Sequence, residues 1–165
     1  METGPTIGDA FGLALLDYLE HGEQESPNVI ERDDGMVEVI DTGVFFDGGA
    51  PWSSLEESVP DRAGRRVLDV GAGAGRHSLV LQEADHDVLA LDISPGAVEV
   101  CSRRGVQHTF EGSIFDLAGV KAEPFDTFLL CGHNYGLLAS PEHAPKFLGT
   151  LARWPHPEPK SSGRA

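Results

Sequence analysis

The feature that most constrains this chain is a short apolar run that ends in three closely spaced glycines. Residues 67–75 read VLDVGAGAG, and Arg76 follows them directly. An apolar run of this length is typical of a strand covered on both faces. Glycine tolerates positive φ and lets the backbone of a turn approach a ligand closely. The run therefore predicts a buried strand that turns through glycines into a helix.

A second apolar run, residues 88–94 (VLALDIS), has the length and composition of the next parallel strand. Asp92 stands at its C-terminal end, about 20 residues after Gly71. An acid in that position can accept hydrogen bonds from the two hydroxyls of a ribose. The two strands together predict a pocket for a cofactor that contains adenosine.

The glycine spacing and an aspartate inside the first strand separate two classes of cofactor. The dinucleotide fingerprint G-x-G-x-x-G would need a glycine at position 76, where the chain has Arg76. Asp69 stands where its carboxylate would repel a pyrophosphate and attract a cation. S-adenosylmethionine carries an ammonium and a sulfonium group. These residues therefore favour S-adenosylmethionine and disfavour a nucleotide-dependent oxidoreductase.

At these residues the chain resembles the class I S-adenosylmethionine-dependent methyltransferases. Their first motif, hydrophobic-Leu-Asp-hydrophobic-Gly-x-Gly-x-Gly, matches residues 67–75 at every position, and their later acid matches Asp92. Leu81, residues 92–95 and Gly105 fit the spacing of the small-molecule enzymes of bacteria and archaea. The resemblance covers roughly residues 60–140. It implies methyl transfer from S-adenosylmethionine to a small molecule that the sequence does not identify.

The resemblance also implies which residues hold the cofactor. Asp69 and the glycine-turn backbone would hold the methionine part, Asp92 the ribose, and Ile93 would pack on the adenine. Many relatives contact the adenine amino group with an aspartate where this chain has Ser113, so Ser113 or Asp116 would take that role. The cofactor-binding candidates are Asp69, Gly71, Ala72, Gly73, Gly75, Asp92, Ile93, Ser113, Ile114 and Cys131. The seven histidines show no spacing that demands a metal, so no metal is expected.

Residues 131–135 (CGHNY) follow the fourth predicted strand and should border the methyl group and its acceptor. Methyl transfer is an in-line displacement that depends on holding the two reactants aligned. A hydroxyl or ammonium acceptor can also call for a base. His133, Asn134 and Tyr135 are the candidates for such help, but a structural role fits each of them equally well. The catalytic residue is therefore left unassigned.

The charge and the cysteine content limit which partners and which cellular compartment are expected. The net charge is −15, and residues 1–61 hold 15 of the 27 acids but only one base, Arg32. Such an acidic surface argues against nucleic acid as a substrate. The acidic segment is either a solubilising surface, an attractor of cationic small molecules or a sign of salt adaptation. Cys101 and Cys131 lack metal or redox spacing, and no apolar run or basic leader indicates a membrane or secretion, so a cytoplasmic protein is expected.

Three regions are predicted along the chain: an N-terminal cap (residues 1–60), a cofactor-binding core (61–153) and a disordered tail (154–165). The cap elements are a helix over 6–21, a hairpin over 29–40 with its turn at 33–35, an aromatic loop over 45–52 and a short helix over 54–58. Phe45, Phe46 and Trp52 of that loop either cover the pocket or belong to the core.

The core alternates strands and helices, which predicts an α/β fold with a Rossmann-like, doubly wound parallel sheet in the order 3-2-1-4. The predicted strands are 66–70, 88–92, 106–110 and 127–131; the helices are 75–84, 95–104 and 141–153, and segment 111–117 follows the third strand. Complete enzymes of the resembling class have three further strands, so the chain looks C-terminally truncated. Apolar residues 128–130 would then form an open edge that a homo-oligomer or a completing partner could cover. The alternative function is a non-catalytic binding module that acts through such a partner.

Overall fold

The computed structural model describes residues 8–22, 28–46, 51–116, 124–132, 134 and 140–153. In chain order the elements are α1 (Ala10–His21), β1 (Asn28–Glu31), β2 (Val37–Ile40), a 3-10 turn (Thr42–Phe45), α2 (Ser54–Glu57), α3 (Val59–Arg62), β3 (Arg66–Val70), α4 (Arg76–Glu83), β4 (Asp87–Asp92), α5 (Pro95–Arg104), β5 (Thr109–Glu111), β6 (Thr127–Leu129) and α6 (Ala144–Arg153). The predicted disordered tail lies outside the described residues.

Four parallel strands form the central sheet, in the order β5-β4-β3-β6. In chain order these are the third, second, first and fourth strands of the core, so the predicted α/β fold is confirmed. Leu68 of β3 pairs with Leu89 of β4 and with Phe128 of β6. The central position of β3 explains why its residues 67–70 are all buried.

Helices cover both faces of this sheet. Successive side chains of a strand point to opposite faces. Leu68 packs with Phe147 of α6 on one face, and Val67 packs with Leu81 of α4 on the other. Helix α5 lies on the same face as α4, because its Cys101 joins Ala90 of β4 in a buried cluster. The sheet is therefore doubly wound, with helices on both of its faces.

Helix α1 packs on α5 through a contact between two glycines. A Cβ atom added to Gly96 would lie 2.7 Å from the backbone carbon of Gly12, so only glycines allow this approach. Asp9 reinforces the contact. Its carboxylate accepts a hydrogen bond from the N–H of Gly12 at 3.2 Å within α1 and from the N–H of Gly96 at 2.9 Å across the interface.

The N-terminal cap contains the predicted hairpin. Strands β1 and β2 are antiparallel, with Asn28 opposite Ile40, and they form a separate two-stranded sheet. Its apolar side chains at Val29, Val37 and Val39 are exposed. The boundaries of the three predicted regions stay predictions. None of the described helices is long and apolar enough to cross a membrane.

Several element boundaries differ from the predicted ones. The third core strand begins at Thr109 instead of Val106, because the N–H of Val106 donates to Cys101 O at the end of α5. Helix α3 occupies residues for which no helix was predicted. The last helix begins at Ala144 instead of Pro141, after a turn closed by hydrogen bonds to Ser140. The first helix begins at Ala10, because the Asp9 side chain is its N-cap.

The glycine contact between α1 and α5 predicts a specific cost for a methyl group. Gly96→Ala should lower the free energy of unfolding by about 1–3 kcal/mol, because its Cβ would overlap the backbone of Gly12. Gly149→Ala is the matched control, since its Cβ would meet nothing within 4 Å and alanine is the better helix former. Urea unfolding followed by circular dichroism measures both variants. Equal stability of the two variants would contradict the close contact.

Candidate functional site

A cavity of about 860 Å³ opens at the carboxyl ends of the four parallel strands. Ligands of open α/β sheets bind at this edge. The lining consists of residues 70–74 at the end of β3, 91–93 at the end of β4, 112–115 after β5, and Cys131, Gly132 and Asn134 after β6. The N-terminal cap closes the cavity with residues of α1, of the hairpin and of two stretches, 44–45 and 51–56.

The glycine turn (residues 71–75) places backbone against this cavity. Gly71 and Gly73 adopt φ values of 73° and 57°, which favour glycine. The N–H groups of Gly71 and Ala72 both donate to Leu91 O, at 2.8 and 3.0 Å, so the turn is fixed to the end of β4. Gly71, Ala72 and Gly73 all line the cavity, as their predicted role requires.

Gly75 does not line the cavity. It has a φ of 77° and precedes the first residue of α4. A Cβ atom there would lie 2.9 Å from Val106 Cγ2 and 3.1 Å from Cys101 Sγ. The motif therefore needs its third glycine because α4 packs closely against α5, and not because this residue contacts the cavity.

Asp92 connects the glycine turn to α5 and also lines the cavity. Its Oδ2 accepts a hydrogen bond from the N–H of Gly73 at 2.9 Å, and its Oδ1 accepts one from the N–H of Ser94 at 2.9 Å. A carboxylate has about four acceptor positions. Two of them are used by the backbone, which leaves acceptor capacity for a pair of hydroxyl donors in the cavity.

Asp69 lies behind the glycine turn and does not line the cavity. It is 1% exposed, and its Oδ2 accepts a hydrogen bond from Ser78 Oγ at 2.7 Å. Burial raises the pKa of its carboxyl group, and the hydrogen bond from Ser78 opposes that rise. The strand directs this side chain towards Ser78 of α4 and not into the cavity.

The candidates for the adenine end lie beside β4 and β5. Ile93 is 75% exposed and lines the cavity with Ser113 and Ile114. Asp116, the alternative to Ser113, does not line the cavity, because its Oδ2 accepts the N–H of Ser113 at 2.9 Å and closes a turn. Of the two candidates, Ser113 is therefore the one that a ligand can reach.

Asn134 joins the end of β6 to the end of β3. Its Nδ2 donates hydrogen bonds to Val70 O at 2.9 Å and to Gly71 O at 2.8 Å. These bonds use both amide protons, so the side chain supports the glycine turn. His133 and Tyr135, the other two catalytic candidates, lie outside the described residues.

Cys131 lines the cavity beside these residues, and burial is the main cause that raises the pKa of its thiol to about 11. The neighbouring carboxylates of Asp69 and Glu56 raise this pKa further. Among the described residues, no group of three His, Cys, Asp or Glu side chains could hold a metal ion.

The paired cavity residues Glu56 and His77 were not among the site residues predicted from the sequence. His77 Nε2 lies 3.1 Å from Glu56 Oε1, and both side chains line the cavity. The only sequence signal was the spacing of Ser53 and Glu56, which is that of a helix capping box and explains Glu56 without a ligand.

The three aromatic residues of the cap loop have different surroundings. Phe45 lines the cavity and packs edge-to-face on Phe11, with ring centroids 5.0 Å apart. Phe46 belongs to the buried core, at 7% exposure. Trp52 lies beside the His77 ring, with centroids 5.0 Å apart, and the Arg76 guanidinium lies 4.9 Å from its ring centroid.

A parallel α/β sheet with a glycine turn and a cavity lined by Asp92 at its carboxyl edge defines a cofactor-binding domain of the Rossmann type. Residues 67–158 match the family model of the methyltransferase domain. This match covers more than half of the chain. The chain therefore belongs to the methyltransferase-domain family, and the resemblance to class I S-adenosylmethionine-dependent methyltransferases is confirmed.

Solved structures of methyltransferases have the same fold. An S-adenosylmethionine-dependent methyltransferase from Bacteroides fragilis, in complex with S-adenosylhomocysteine, matches with a TM-score of 0.79 and 31% identity. The match covers 91% of this chain and 61% of that one, so the chain spans less than two thirds of that relative. A sugar N-methyltransferase from a Streptoalloteichus species shares the fold, with a TM-score of 0.56, 21% identity, and coverage of 80% of this chain and 55% of that one.

The raised pKa of Cys131 predicts slow alkylation of this thiol. A thiol with a pKa of about 11 is ionised in about one molecule in a thousand at pH 8. Its reaction with iodoacetamide should therefore be far slower than that of glutathione and should rise about tenfold per pH unit from pH 8 to 10. Mass spectrometry measures the rate of alkylation, and the control is Cys131→Ser, in which Cys101 is the only remaining cysteine. A rate at pH 8 equal to that of glutathione would contradict the buried, acid-flanked position.

Proposed function

We propose that this chain binds S-adenosylmethionine in the 860 Å³ cavity and takes part in methyl transfer to a small molecule. The observation that carries the proposal is the joint position of the glycine turn, Asp92 and Ile93 on one cavity at the carboxyl edge of the sheet. The volume lies within the range of about 300–1,000 Å³ that is typical of small-molecule sites.

The adenosine half of the cofactor fits the β4 and β5 side of the cavity. The free acceptor positions of Asp92 suit the two ribose hydroxyls. The exposed Ile93 side chain offers an apolar surface for the adenine ring, and covering it is favourable. Ser113 Oγ and the backbone of Ile114 would then form hydrogen bonds with the polar edge of the adenine ring.

The methionine half fits the glycine turn, where backbone approaches the cavity. Asp92 beside this turn and Glu56 are the acids of the described cavity lining, and Arg76 is its one Lys or Arg, so negative charge prevails there. Such a potential favours a ligand with ammonium and sulfonium charges over a pyrophosphate. When bound, S-adenosylmethionine supplies a methyl group on a positively charged sulfur, which makes that methyl group electrophilic.

The chain's own contribution to the reaction is to hold, align and shield the reactants. Alignment of two reactants accounts for much of the acceleration of a displacement reaction. Asn134 supports the glycine turn through Val70 and Gly71, while Phe11 and Phe45 close the cavity from the cap side. The acidic surface of the chain supports a small-molecule acceptor over nucleic acid.

The outer edge of β6 fits a protein partner. Among the described strands, β6 pairs only with β3, so a second copy or another chain would fit its other edge. Light scattering of the purified chain separates a homo-oligomer from a monomer.

The free thiols of Cys101 and Cys131 suit a reducing compartment such as the cytoplasm.

Isothermal titration calorimetry with three ligands tests the proposal. We expect S-adenosylmethionine and S-adenosylhomocysteine to bind and NAD to show no heat of binding. The proposal would be overturned if NAD bound and S-adenosylmethionine did not. Binding with no turnover on any of a broad series of acceptors would favour a binding module over an enzyme.

The ribose role of Asp92 gives a prediction with a defined size. Asp92→Ala should lower the affinity for S-adenosylmethionine by more than about tenfold, since hydrogen bonds to a charged group contribute about 1.5–3 kcal/mol. Asp92→Asn keeps one oxygen acceptor and the shape of the side chain, so it separates loss of binding from loss of folding. Glu83→Ala, at an exposed position outside the cavity, is the control. A folded Asp92 variant that binds with normal affinity would refute the ribose role.

A further inference from the structure

We propose that His77, oriented by Glu56, is the base that accepts the proton of a hydroxyl or amine methyl acceptor. The inference deepens the proposed function and rests on it, because it places the acceptor at the end of the cavity away from the adenine side. The residues that carry it come from the N-terminal cap and from the first turn of α4.

Glu56 fixes the imidazole of His77 through one ring nitrogen. Glu56 Oε1 lies 3.1 Å from Nε2, while Glu56 Oε2 accepts hydrogen bonds from the N–H of Ser53 at 2.8 Å and from Ser53 Oγ at 2.7 Å. The two side chains of the pair are only 22% and 15% exposed. Glu56 is therefore held from two directions and cannot turn away from the ring without losing a bond.

The charge of Glu56 decides which ring nitrogen carries the proton. The hydrogen bond from the Ser53 backbone N–H is the largest cause that lowers the pKa of Glu56 to about 2, so its carboxylate is charged at neutral pH. An ionised carboxylate only accepts hydrogen bonds, so Nε2 of the neutral ring must be the donor. The lone pair of the ring is then on Nδ1, and no other described residue forms a hydrogen bond with this atom.

The position of the pair in the cavity matches that of an acceptor. Ser113 follows β5 and Cys131 follows β6, which are the two outer strands of the sheet. With about 4.8 Å between neighbouring strands, these ends are roughly 14 Å apart. Val59, three residues after Glu56, and Cys131 pack against the same buried cluster, which includes Leu129 of β6, so the pair lies near the β6 end. The adenine candidates lie at the opposite end.

The proton transfer balances with the methyl transfer. From a hydroxyl acceptor, the proton would move to Nδ1 of His77, and the electron pair left on oxygen would form the new bond to the methyl carbon. From an amine acceptor, the nitrogen lone pair would form that bond, and the pair of the N–H bond would stay on nitrogen as the proton moves to Nδ1. In both cases the pair of the broken carbon–sulfur bond would stay on sulfur. Glu56 stabilises the positive charge that the ring gains, as the carboxylate does in other acid–histidine pairs.

A purely structural role for the pair predicts a different behaviour of Nδ1. In that case Glu56 would only cap α2 and join it to α4, and Nδ1 would not be reachable by a ligand. Trp52 packs beside the ring, with centroids 5.0 Å apart, and His77 also lines the cavity, where a ligand would approach it. The two roles are separated by the tautomer of the ring and by its response to a hydroxyl probe.

Nitrogen-15 NMR of histidine-labelled protein tests the orientation of His77 by Glu56. We expect the neutral ring to carry its proton on Nε2 in the wild type and to become a mixture of tautomers in Glu56→Gln. Glu57→Gln is the matched control, because Glu57 is the exposed neighbour and should leave the ring unchanged. A proton on Nδ1 in the wild type would overturn the proposal, and so would an unchanged tautomer in Glu56→Gln.

A second measurement tests access to Nδ1 in protein saturated with S-adenosylhomocysteine. Phenol should move the Nδ1 resonance of His77, because its hydroxyl donates to the lone pair, whereas anisole, which has no hydroxyl, should not. The exposed His108 provides an internal control resonance. No movement with phenol, or equal movement with both probes, would overturn the base role.

Calorimetry keeps this inference separate from the proposed function. His77→Gln should bind S-adenosylmethionine within about twofold of the wild-type affinity, because His77 lies at the acceptor end. A wild-type chain that binds no S-adenosylmethionine would refute the proposed function, whereas a tenfold weaker His77→Gln would refute only the placement of His77 at the acceptor end.

Discussion

The arrangement of this domain depends on the carboxylate of Asp92. Its two oxygens bind the N–H of Gly73 in the glycine turn and the N–H of Ser94 before α5, both at 2.9 Å. Ser94 Oγ in turn donates to Asp9, the N-cap of α1. One chain of hydrogen bonds therefore links the turn, the start of α5 and the N-terminal cap. Because Asp92 is only 9% exposed, loss of one of these bonds would leave a buried polar group unsatisfied.

The same carboxylate gives the cavity its electrostatic character. Asp69 and Asp92 are both buried, and the charge of Asp92 adds to the effect of burial in raising the pKa of Asp69. A cation in the cavity beside Asp92 would favour the charged form of both carboxyl groups, since charges interact more strongly away from water. The strand end is thus better matched to a cationic cofactor than an uncharged strand end would be.

Sequence reasoning succeeded where the signal is local and failed where it is tertiary. Helix α5 was predicted with its observed bounds, because Ser94 and Pro95 start it and Gly105, at a φ of 101°, ends it. The start of β5 was wrong because Val106 is apolar but completes the end of α5. The glycine turn and Asp92 were found because one strand–turn–helix unit carries them. Glu56 and His77 were missed because their pairing joins two segments whose sequences show only a helix start.

The walls of the cavity differ in what it costs to move them. Helix α1 is held by the contact of Gly12 with Gly96 and by the bonds of Asp9 to α5, so moving it breaks buried polar contacts. The hairpin also lines the cavity, but it is a two-stranded sheet with exposed apolar side chains, and such sheets are marginally stable alone. The hairpin is therefore the wall that costs least to displace. A ligand that covers Val29 or Ile30 would gain apolar contact and hold this wall in place, which couples closure of the cavity to its occupancy.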